Sequence, residues 1–363
     1  MSSRTGTYVM SATSATMKPY SFGWLRGATF DLGYIFGIAA IALCTGAIVV
    51  MQPGLFPLII FLDLWLLGYH HVISTFTRLT FDRDSFREHR FLVIGLPPIV
   101  LLGVTLLWLV IGAWVLPTLY LYWQWFHYTR QSYGIARIYK RKGSPAAIAD
   151  DLLTQAMLYL IPFWGILYRS YQAPEKFLWM PVKTLPVPFL LAAVVGIASV
   201  VTIAWWSFRQ LRAFARGQLL FAHTLYVSSH TIIFVTGYIL IPDINHGWLV
   251  VNIWHNLQYV LLVWMFNNNR FKTGIDARHR LLSSISQRQK VSLYFAVCLG
   301  ISTATYLALS LLLTKASSVF AFAAAAPLIL IAYQAINFHH YIVDALIWKA
   351  RKKSVKQNFG IAT

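Results

Sequence analysis

Charged residues are scarce in this chain of 363 residues, and acidic ones are scarcer than basic ones. Charged side chains make up 11% of the sequence, with 11 Asp and Glu against 30 Lys and Arg, whereas soluble domains carry about 25%. Hydrophobic residues make up 58%, and the mean hydropathy is +0.60. This composition excludes an ordinary soluble domain and indicates a protein that lies in a membrane.

Cysteine is nearly absent too, because Cys44 and Cys298 are the only two and both lie in apolar runs. Their scarcity excludes a disulfide framework and a zinc or iron–sulfur site built from cysteines. Residues 1–20 are rich in Ser and Thr and contain no apolar stretch, so they do not read as a secretory signal. We interpret residues 1–29 as a cytoplasmic N-terminal segment.

Long apolar runs are what the sequence has in abundance. Many are about 20 residues long, which is enough to cross a hydrocarbon core of about 30 Å. We predict an all-α, polytopic integral membrane helix bundle with a single transmembrane domain over residues 30–348 and a basic cytoplasmic tail over 349–363. The ten predicted spans are residues 30–52, 54–76, 91–115, 116–136, 152–172, 186–207, 218–241, 247–269, 291–313 and 318–347.

The basic residues predict how these helices are oriented. If the N-terminus lies inside, the inner loops and tail hold all 30 Lys and Arg residues except Arg130, Arg169, Lys176, Lys183 and Lys315. Inner loops of membrane proteins are enriched in Lys and Arg. We therefore predict both termini in the cytoplasm, in a multi-pass protein of the cell membrane, with a bacterial inner membrane expected. The net charge of +19 then reflects topology and contact with lipid headgroups rather than nucleic acid.

Eight of the 11 histidines lie inside predicted helices. At a rise of 1.5 Å per residue, all eight lie roughly 8 to 21 Å from the cytoplasmic helix ends, which places them in one slab of the bilayer. Ionisable groups inside a membrane are expensive and tend to mark function. The eight are His70, His71, His127, His223, His230, His255, His339 and His340.

These histidines belong to polar stripes at helical spacing. In the last predicted helix, Asn337, His340 and Asp344 recur at three and four residues. Such faces cannot point at lipid without leaving polar groups unsatisfied, so we expect them to face each other or a wet cavity. The other stripes are Asp63, His70 and Ser74; Gln124, His127 and Gln131; His223, Tyr226 and His230; and Asn252, His255, Asn256 and Tyr259.

Neutral imidazole is the commonest metal ligand in proteins, and histidines on facing helices build metal sites in bundle cores. We predict that the eight histidines and Asp344 supply an iron site, with two ions, while another transition metal or haem is the alternative. Separated by about 10.5 Å along their helix, His223 and His230 would flank a two-metal centre. A single histidine could instead join two helices by a hydrogen bond or carry protons. Asp344 could anchor a ligand ring or pair with Arg or Lys, and Asp63 is expected to be a buried, hydrogen-bonded carboxyl.

On these residues the chain resembles two classes of membrane enzyme that hold non-haem iron with histidines. One is the fatty-acid desaturase and hydroxylase class, which it resembles in histidine number and membrane setting. That class carries HxxxH and HxxHH boxes, and here the nearest match is FHHY at residues 338–341. The other comprises the bacterial carotene-cleaving dioxygenases of the Brp/Blh type, in which histidines within membrane helices hold a single iron. The likeness covers the site rather than the chain, and it implies dioxygen chemistry on lipids.

We therefore expect a membrane-embedded non-haem iron oxidoreductase of the oxygenase, desaturase or hydroxylase type. Its substrate would be lipophilic, such as an acyl chain or isoprenoid, and would enter from the surrounding membrane lipids. A cytoplasmic electron-donor protein is the expected partner of the basic loops at 78–90, 137–142 and 270–290. The alternatives are a haem-binding electron-transfer protein, a proton-coupled transporter and a metal-ion transporter. Zinc hydrolysis is disfavoured because no HExxH occurs.

Overall fold

The computed structural model describes residues 22–81, 83–144, 151–319, 325–349 and 353–360, and most of the interpreted N-terminal segment and part of the tail lie outside them. The chain is 84% helical, and the one small sheet among the described residues pairs β1 (Lys176–Phe177) with β2 (Met180–Pro181) in antiparallel fashion. The helices are α1 (Ala28–Met51), α2 (Pro53–Leu79), α3 (Arg83–Glu88), α4 (Phe91–Ile111), α5 (Val115–Gly143), α6 (Leu152–Tyr171), α7 (Phe189–Ala215), α8 (Phe221–Val235), α9 (Ile244–Arg270), α10 (Arg280–Ile285), α11 (Val291–Val319), α12 (Ala325–Ile347) and α13 (Lys353–Asn358).

Six helices within the described residues are long and apolar enough to cross a membrane, namely α1, α2, α4, α7, α9 and α11. The prediction of an all-α membrane helix bundle is therefore confirmed. The remaining four predicted spans are mainly helical over their described residues as well, but polar and charged side chains make them less apolar. They correspond to α5, α6, α8 with the turn that follows it, and α12. In the last of them, residues 318–319 belong to α11 and residues 320–324 lie outside the described residues.

Helix α9 lies at the centre of the bundle and other apolar helices lie around it. Over an apolar 18-residue stretch of each span, 89% of the residues of α9 are buried inside the protein, against 11% for α4 and 17% for α11. A helix that is buried on all sides can carry polar residues only if neighbouring helices satisfy them. Helix α9 carries the buried polar side chains Asn252, His255, Asn256 and Tyr259, so its neighbours must supply polar partners.

Contacts between loops define two ends of the bundle. At one end, the N–H of Ala222 donates to the carbonyl of Phe22 at 3.0 Å, so the start of α8 lies beside the chain that precedes α1. At the other end, the N–H of Lys183 donates to Thr118 Oγ1 at 3.0 Å, and the N–H of Leu178 donates to Asn245 Oδ1 at 2.7 Å. The segments before α1 and α8 therefore meet at one end, and those before α5, α7 and α9 meet at the opposite end.

Arg169 is one of the few basic residues that lie outside the predicted inner loops, and the structure shows that it binds backbone carbonyls. Its side chain is 1% exposed, and its guanidinium donates to the carbonyls of Gly237 at 3.0 Å and Pro242 at 2.6 Å. It also donates to the carbonyl of Ile241. The last carbonyls of a helix have no partners within that helix, so Arg169 caps the end of the π-helical turn that follows α8.

The described residues contain four π-helical turns: three lie within helices, Gly33–Gly37 in α1, Leu64–Gly68 in α2 and Phe91–Gly95 in α4, and the fourth, Thr236–Leu240, directly follows α8. The turn in α2 begins directly after Asp63 and ends two residues before His70. A π-helical turn holds more residues than an α-helical one, so it changes the direction of every side chain that follows it. Of the two predicted ligands His70 and His71, His71 consequently lies on the α2 face that packs against α9, four residues before Thr75, although the predicted stripe ran through His70.

Candidate metal centre

Four of the nine predicted ligands meet at one point in the bundle. His71 comes from α2, His127 from α5, and His340 and Asp344 from successive turns of α12. One ligand atom from each residue lies within 4.8 Å of the others, and all four residues are buried. We call His71, His127, His340 and Asp344 the four-residue group. It is the one such group of three or more potential ligands within the described part of the chain.

The distances within the four-residue group suit a single ion. The Nε2 atoms of His71 and His340 are 2.7 Å apart, and His340 Nε2 lies 3.4 Å from Asp344 Oδ2. His127 Nε2 lies 4.0 Å from the same carboxylate oxygen. With metal–ligand bonds of about 2.0–2.2 Å, ligand atoms on one ion lie about 3 Å apart when adjacent and about 4 Å apart when opposite. The donors therefore fit one transition-metal ion with little movement.

Two ring nitrogens of the group are buried without a hydrogen-bond partner among the described residues, namely His71 Nδ1 and His127 Nε2. Of the two, His127 Nε2 is the one that faces Asp344. A buried polar atom without a partner costs about 1–3 kcal/mol. A cation between His127 and Asp344 would meet the nitrogen lone pair and the carboxylate charge together. The donor chemistry of the group thus agrees with its spacing.

A second layer of hydrogen bonds holds α12 in place at the group. Tyr259 on α9 donates its hydroxyl to Asp344 Oδ1 at 2.6 Å and accepts from Trp348 Nε1 at 3.0 Å. Thr75 Oγ1 lies 3.1 Å from His340 Nδ1 and 2.6 Å from the Tyr259 hydroxyl. Such outer bonds fix the orientation of metal ligands. They leave His340 Nε2 and Asp344 Oδ2 facing the centre of the group.

Sequence reasoning missed Thr75, although Tyr259 belonged to a predicted stripe. The signal was present, because Thr75 follows His71 by four residues and so shares its helix face. It was overlooked because the predicted stripe of α2 ran through His70 and Ser74. Ser74 donates instead to the backbone carbonyl of His71 at 2.7 Å.

His255 borders the four-residue group without belonging to it. Its ring stacks on that of His71 at a centroid distance of 4.8 Å and meets the ring of His127 edge-on at 5.0 Å. It also packs on Tyr128 at 4.0 Å. His255 therefore forms one wall of the centre and lies close enough to influence the ligand rings.

The other four predicted histidines lie elsewhere. His70 faces α11, with its ring edge-on to Phe295 at 5.2 Å, and His339 Nε2 lies 2.7 Å from the backbone carbonyl of Leu92. His230 Nδ1 lies 2.7 Å from Ser132 Oγ. His223 borders a small pocket that is also lined by Lys140 and Asp151. The structure thus does not bring His70, His223, His230 or His339 to the four-residue group.

A buried polar chain formed by α2, α5 and α9 leads towards the centre. Asp63 Oδ2 accepts a hydrogen bond from Asn252 Nδ2 at 2.5 Å. Asn252 is also bonded to the hydroxyl of Tyr128, which is bonded to Gln124. Asp63 is therefore the buried, hydrogen-bonded carboxyl expected from the sequence. Because Tyr128 packs on His255, the chain ends beside the four-residue group.

A cavity of about 530 Å³ adjoins the group and runs between α5 and α12. We call this cavity the groove. His127, Asp344 and Tyr259 line its inner end. Pockets that bind small molecules commonly measure about 300–1,000 Å³ and combine apolar walls with a few polar groups. The groove therefore gives a ligand of that size direct access to two of the four ligating residues.

No protein-family model, no curated protein and no solved structure matches the chain.

Proposed function

We propose that the chain is a membrane-embedded, metal-dependent oxidoreductase that holds one iron ion in the four-residue group. The observation that carries the proposal is the convergence of three imidazoles and one carboxylate within 4.8 Å, all buried. Histidine and carboxylate ligands together are typical of non-haem iron oxygenases. The sequence predicted two ions, and we propose one, because four donors can hold one six-coordinate iron with two positions open for dioxygen and leave few donors for a second ion.

The protein around the ion would set the conditions for the reaction. Bound iron supplies the activation of dioxygen. Tyr259 and Thr75 hold Asp344 and His340 in position, while the apolar walls of the bundle exclude bulk water. The groove admits a lipophilic substrate, such as an acyl chain or isoprenoid, to the His127 side of the group.

The need for a partner depends on which reaction takes place. Hydroxylation joins one oxygen atom of dioxygen to a substrate carbon and releases the other as water, which consumes two electrons and two protons. A cleaving dioxygenation leaves both oxygen atoms in the products and needs no electron donor. For hydroxylation, we propose a cytoplasmic electron-transfer protein that docks on the basic loops at 78–90, 137–142 and 270–290, since opposite charges speed encounter.

The geometry of the four-residue group favours a non-haem iron enzyme over a haem protein, and metal content would separate such an enzyme from a transporter. Two axial imidazoles on one haem iron need room for the porphyrin between their rings, whereas the Nε2 atoms of His71 and His340 are 2.7 Å apart. A proton or metal transporter would use the same polar residues without retaining a tightly bound ion. Metal content therefore separates the enzyme from the transporter.

We propose further that all ten predicted segments span the membrane, with both termini in the cytoplasm and the cell membrane, such as a bacterial inner membrane, as the location. Two observations support this topology. The described loops alternate between the two ends of the bundle, and nearly all basic residues belong to the end that holds residues 137–143 and 270–290.

Neighbouring histidines provide matched variants for the test. Purified in detergent, the wild-type protein should carry about one iron per chain and show no haem absorption band. His71→Ala and His340→Ala should each lose the iron, while His70→Ala and His339→Ala, which remove adjacent buried histidines, should retain it. Equal iron in all four variants would contradict the proposed centre. A wild-type protein without any metal would favour the transporter.

A further inference from the structure

The two ends of the groove differ in chemistry. The inner end holds His127 and Asp344, and the outer end is lined by Arg137, Arg141 and Lys349. We call Arg137, Arg141 and Lys349 the basic mouth. From His127 to Arg141 is 14 residues of one continuous helix, which corresponds to about 21 Å along the axis. A ligand that occupied the whole groove would therefore be long and narrow.

The walls between the two ends are mainly apolar. Ile138 lines the groove from α5, Leu262 from α9, and Tyr341 and Trp348 from α12, while Arg130 and Gln131 are the polar exceptions on α5. The apolar side chains suit a hydrocarbon chain, whose burial away from water is favourable.

Gly134 keeps the middle of the groove open. It lies seven residues after His127 and therefore on the same side of α5. A Cβ atom added at Gly134 would have no neighbour within 4 Å. The groove is thus wide enough here for a chain to pass, and a large side chain at this position would block it without first meeting other protein atoms.

The basic mouth brings three positively charged side chains to the outer end of the groove. Asp344 is the one carboxylate among the lining residues, and it lies at the inner end. The guanidinium group matches the geometry of carboxylate and phosphate oxygens, with which it forms paired hydrogen bonds. The mouth is therefore complementary to an anionic group.

We infer that the groove binds a single-chain amphiphile with one anionic headgroup, a carboxylate or a phosphate. The headgroup lies at the basic mouth, and the apolar chain passes Gly134 and ends beside His127. Calling this amphiphile the substrate rests on the proposed function, because only a metal centre in the four-residue group would act on the chain. The binding itself requires no metal and can be tested alone.

The test uses metal-free, full-length protein in a neutral detergent and equilibrium binding of radiolabelled hexadecanoate, with hexadecanol as the uncharged analogue. Wild-type protein should bind hexadecanoate more tightly than hexadecanol. The double variant R141Q/K349Q should weaken hexadecanoate binding roughly tenfold or more for each charge removed and leave hexadecanol binding unchanged. R212Q/R216Q, which removes two basic residues outside the groove, serves as the matched control and should bind hexadecanoate as the wild type does.

A steric variant tests the path of the chain. Gly134→Phe should abolish binding of both probes, whereas Gly103→Phe, at a site on α4 that also has open space around it, should not. All variants must elute as the wild type does in size-exclusion chromatography. Unchanged hexadecanoate binding in both R141Q/K349Q and Gly134→Phe would overturn the inference.

Competition identifies the source of the headgroup. Hexadecyl phosphate should displace hexadecanoate if the mouth accepts either anion. Displacement by phosphatidylglycerol as efficient as that by hexadecyl phosphate would overturn the assignment of a single-chain ligand, because the groove would then hold ordinary membrane lipid.

The experiments also distinguish failure of the groove proposal from failure of the proposed metal centre. Hexadecanoate binding by a protein that binds no metal would refute the metal centre and leave the groove assignment intact, and metal binding without headgroup discrimination would do the reverse.

Discussion

Removal of one hydroxyl, in Tyr259→Phe, should weaken metal binding without removing a ligand. The hydroxyl donates to Asp344 Oδ1 at 2.6 Å and leaves Oδ2 directed at the four-residue group. A hydrogen bond to a charged group contributes about 1.5–3 kcal/mol, and 1.4 kcal/mol corresponds to a tenfold change in affinity. We therefore expect the dissociation constant of the metal to rise roughly tenfold to a hundredfold, the range usual for substitutions of outer hydrogen-bond partners.

The measurement is a metal titration against a competing chelator, with the protein in detergent. Tyr226→Phe is the matched control, since Tyr226 is also fully buried and its hydroxyl donates to Gln258 Oε1 at 3.1 Å, away from the four-residue group. Both variants lose one buried hydroxyl, but only Tyr259→Phe should change the metal affinity. If both variants bind metal as tightly as the wild type does, Asp344 does not depend on Tyr259 and the reasoning is wrong.

Three further predictions follow from the fold. Gly247→Ala should lower the free energy of unfolding by about 1–3 kcal/mol or more, as overpacking does, because a Cβ at Gly247 would lie 1.9 Å from the carbonyl oxygen of Gly237. Gly300→Ala, at a site with open space around it, is the control, and equal melting temperatures of the two variants would contradict the close packing. Reporter fusions should give an outside signal at Met51 and Asp243 and an inside signal at Arg141 and after Lys353, and the inverse pattern would refute the topology. Reversing the charges of Arg278, Arg280 and Arg288 together should slow turnover in a salt-dependent way while the metal content stays intact. Unchanged turnover would mean that these three residues contribute to topology only.

The predicted inward polar faces agree with the structure in helices that have no π-helical turn before the polar residues. His127 on α5 and the pair His340 and Asp344 on α12 lie on the expected faces, because uninterrupted α-helical spacing fixes the direction of each side chain. In α2 both His70 and His71 were predicted as ligands, but the spacing assigned His70 to the inward stripe. The π-helical turn Leu64–Gly68 shifts the helix phase, so His71 faces the site instead. Apolar residues give no sign of such a turn, and the error could not have been avoided from spacing alone.

The histidines of α8 show a different limit of sequence reasoning. His230 is fully buried, as its stripe predicted, but Ser132 on α5 lies 2.7 Å from its Nδ1. A polar side chain inside a membrane bundle needs a partner, and either a metal or a hydroxyl can provide one. The choice depends on which side chain lies opposite, and that is a property of helix packing. Periodicity therefore predicts burial well and ligation poorly.

The four-residue group joins the beginning, middle and end of the chain, because α2, α5 and α12 supply its members. Until α12 has inserted, only His71 and His127 are present, and two imidazoles hold a metal weakly. Metal loading would then follow synthesis of the whole bundle rather than accompany it. Once bound, an ion that prefers the folded state adds RT ln(1 + [L]/Kd) to the stability of that state. If the group holds an ion as proposed, metal starvation would act first on the attachment of α12, and free α12 would become the part of the protein most open to quality-control proteases.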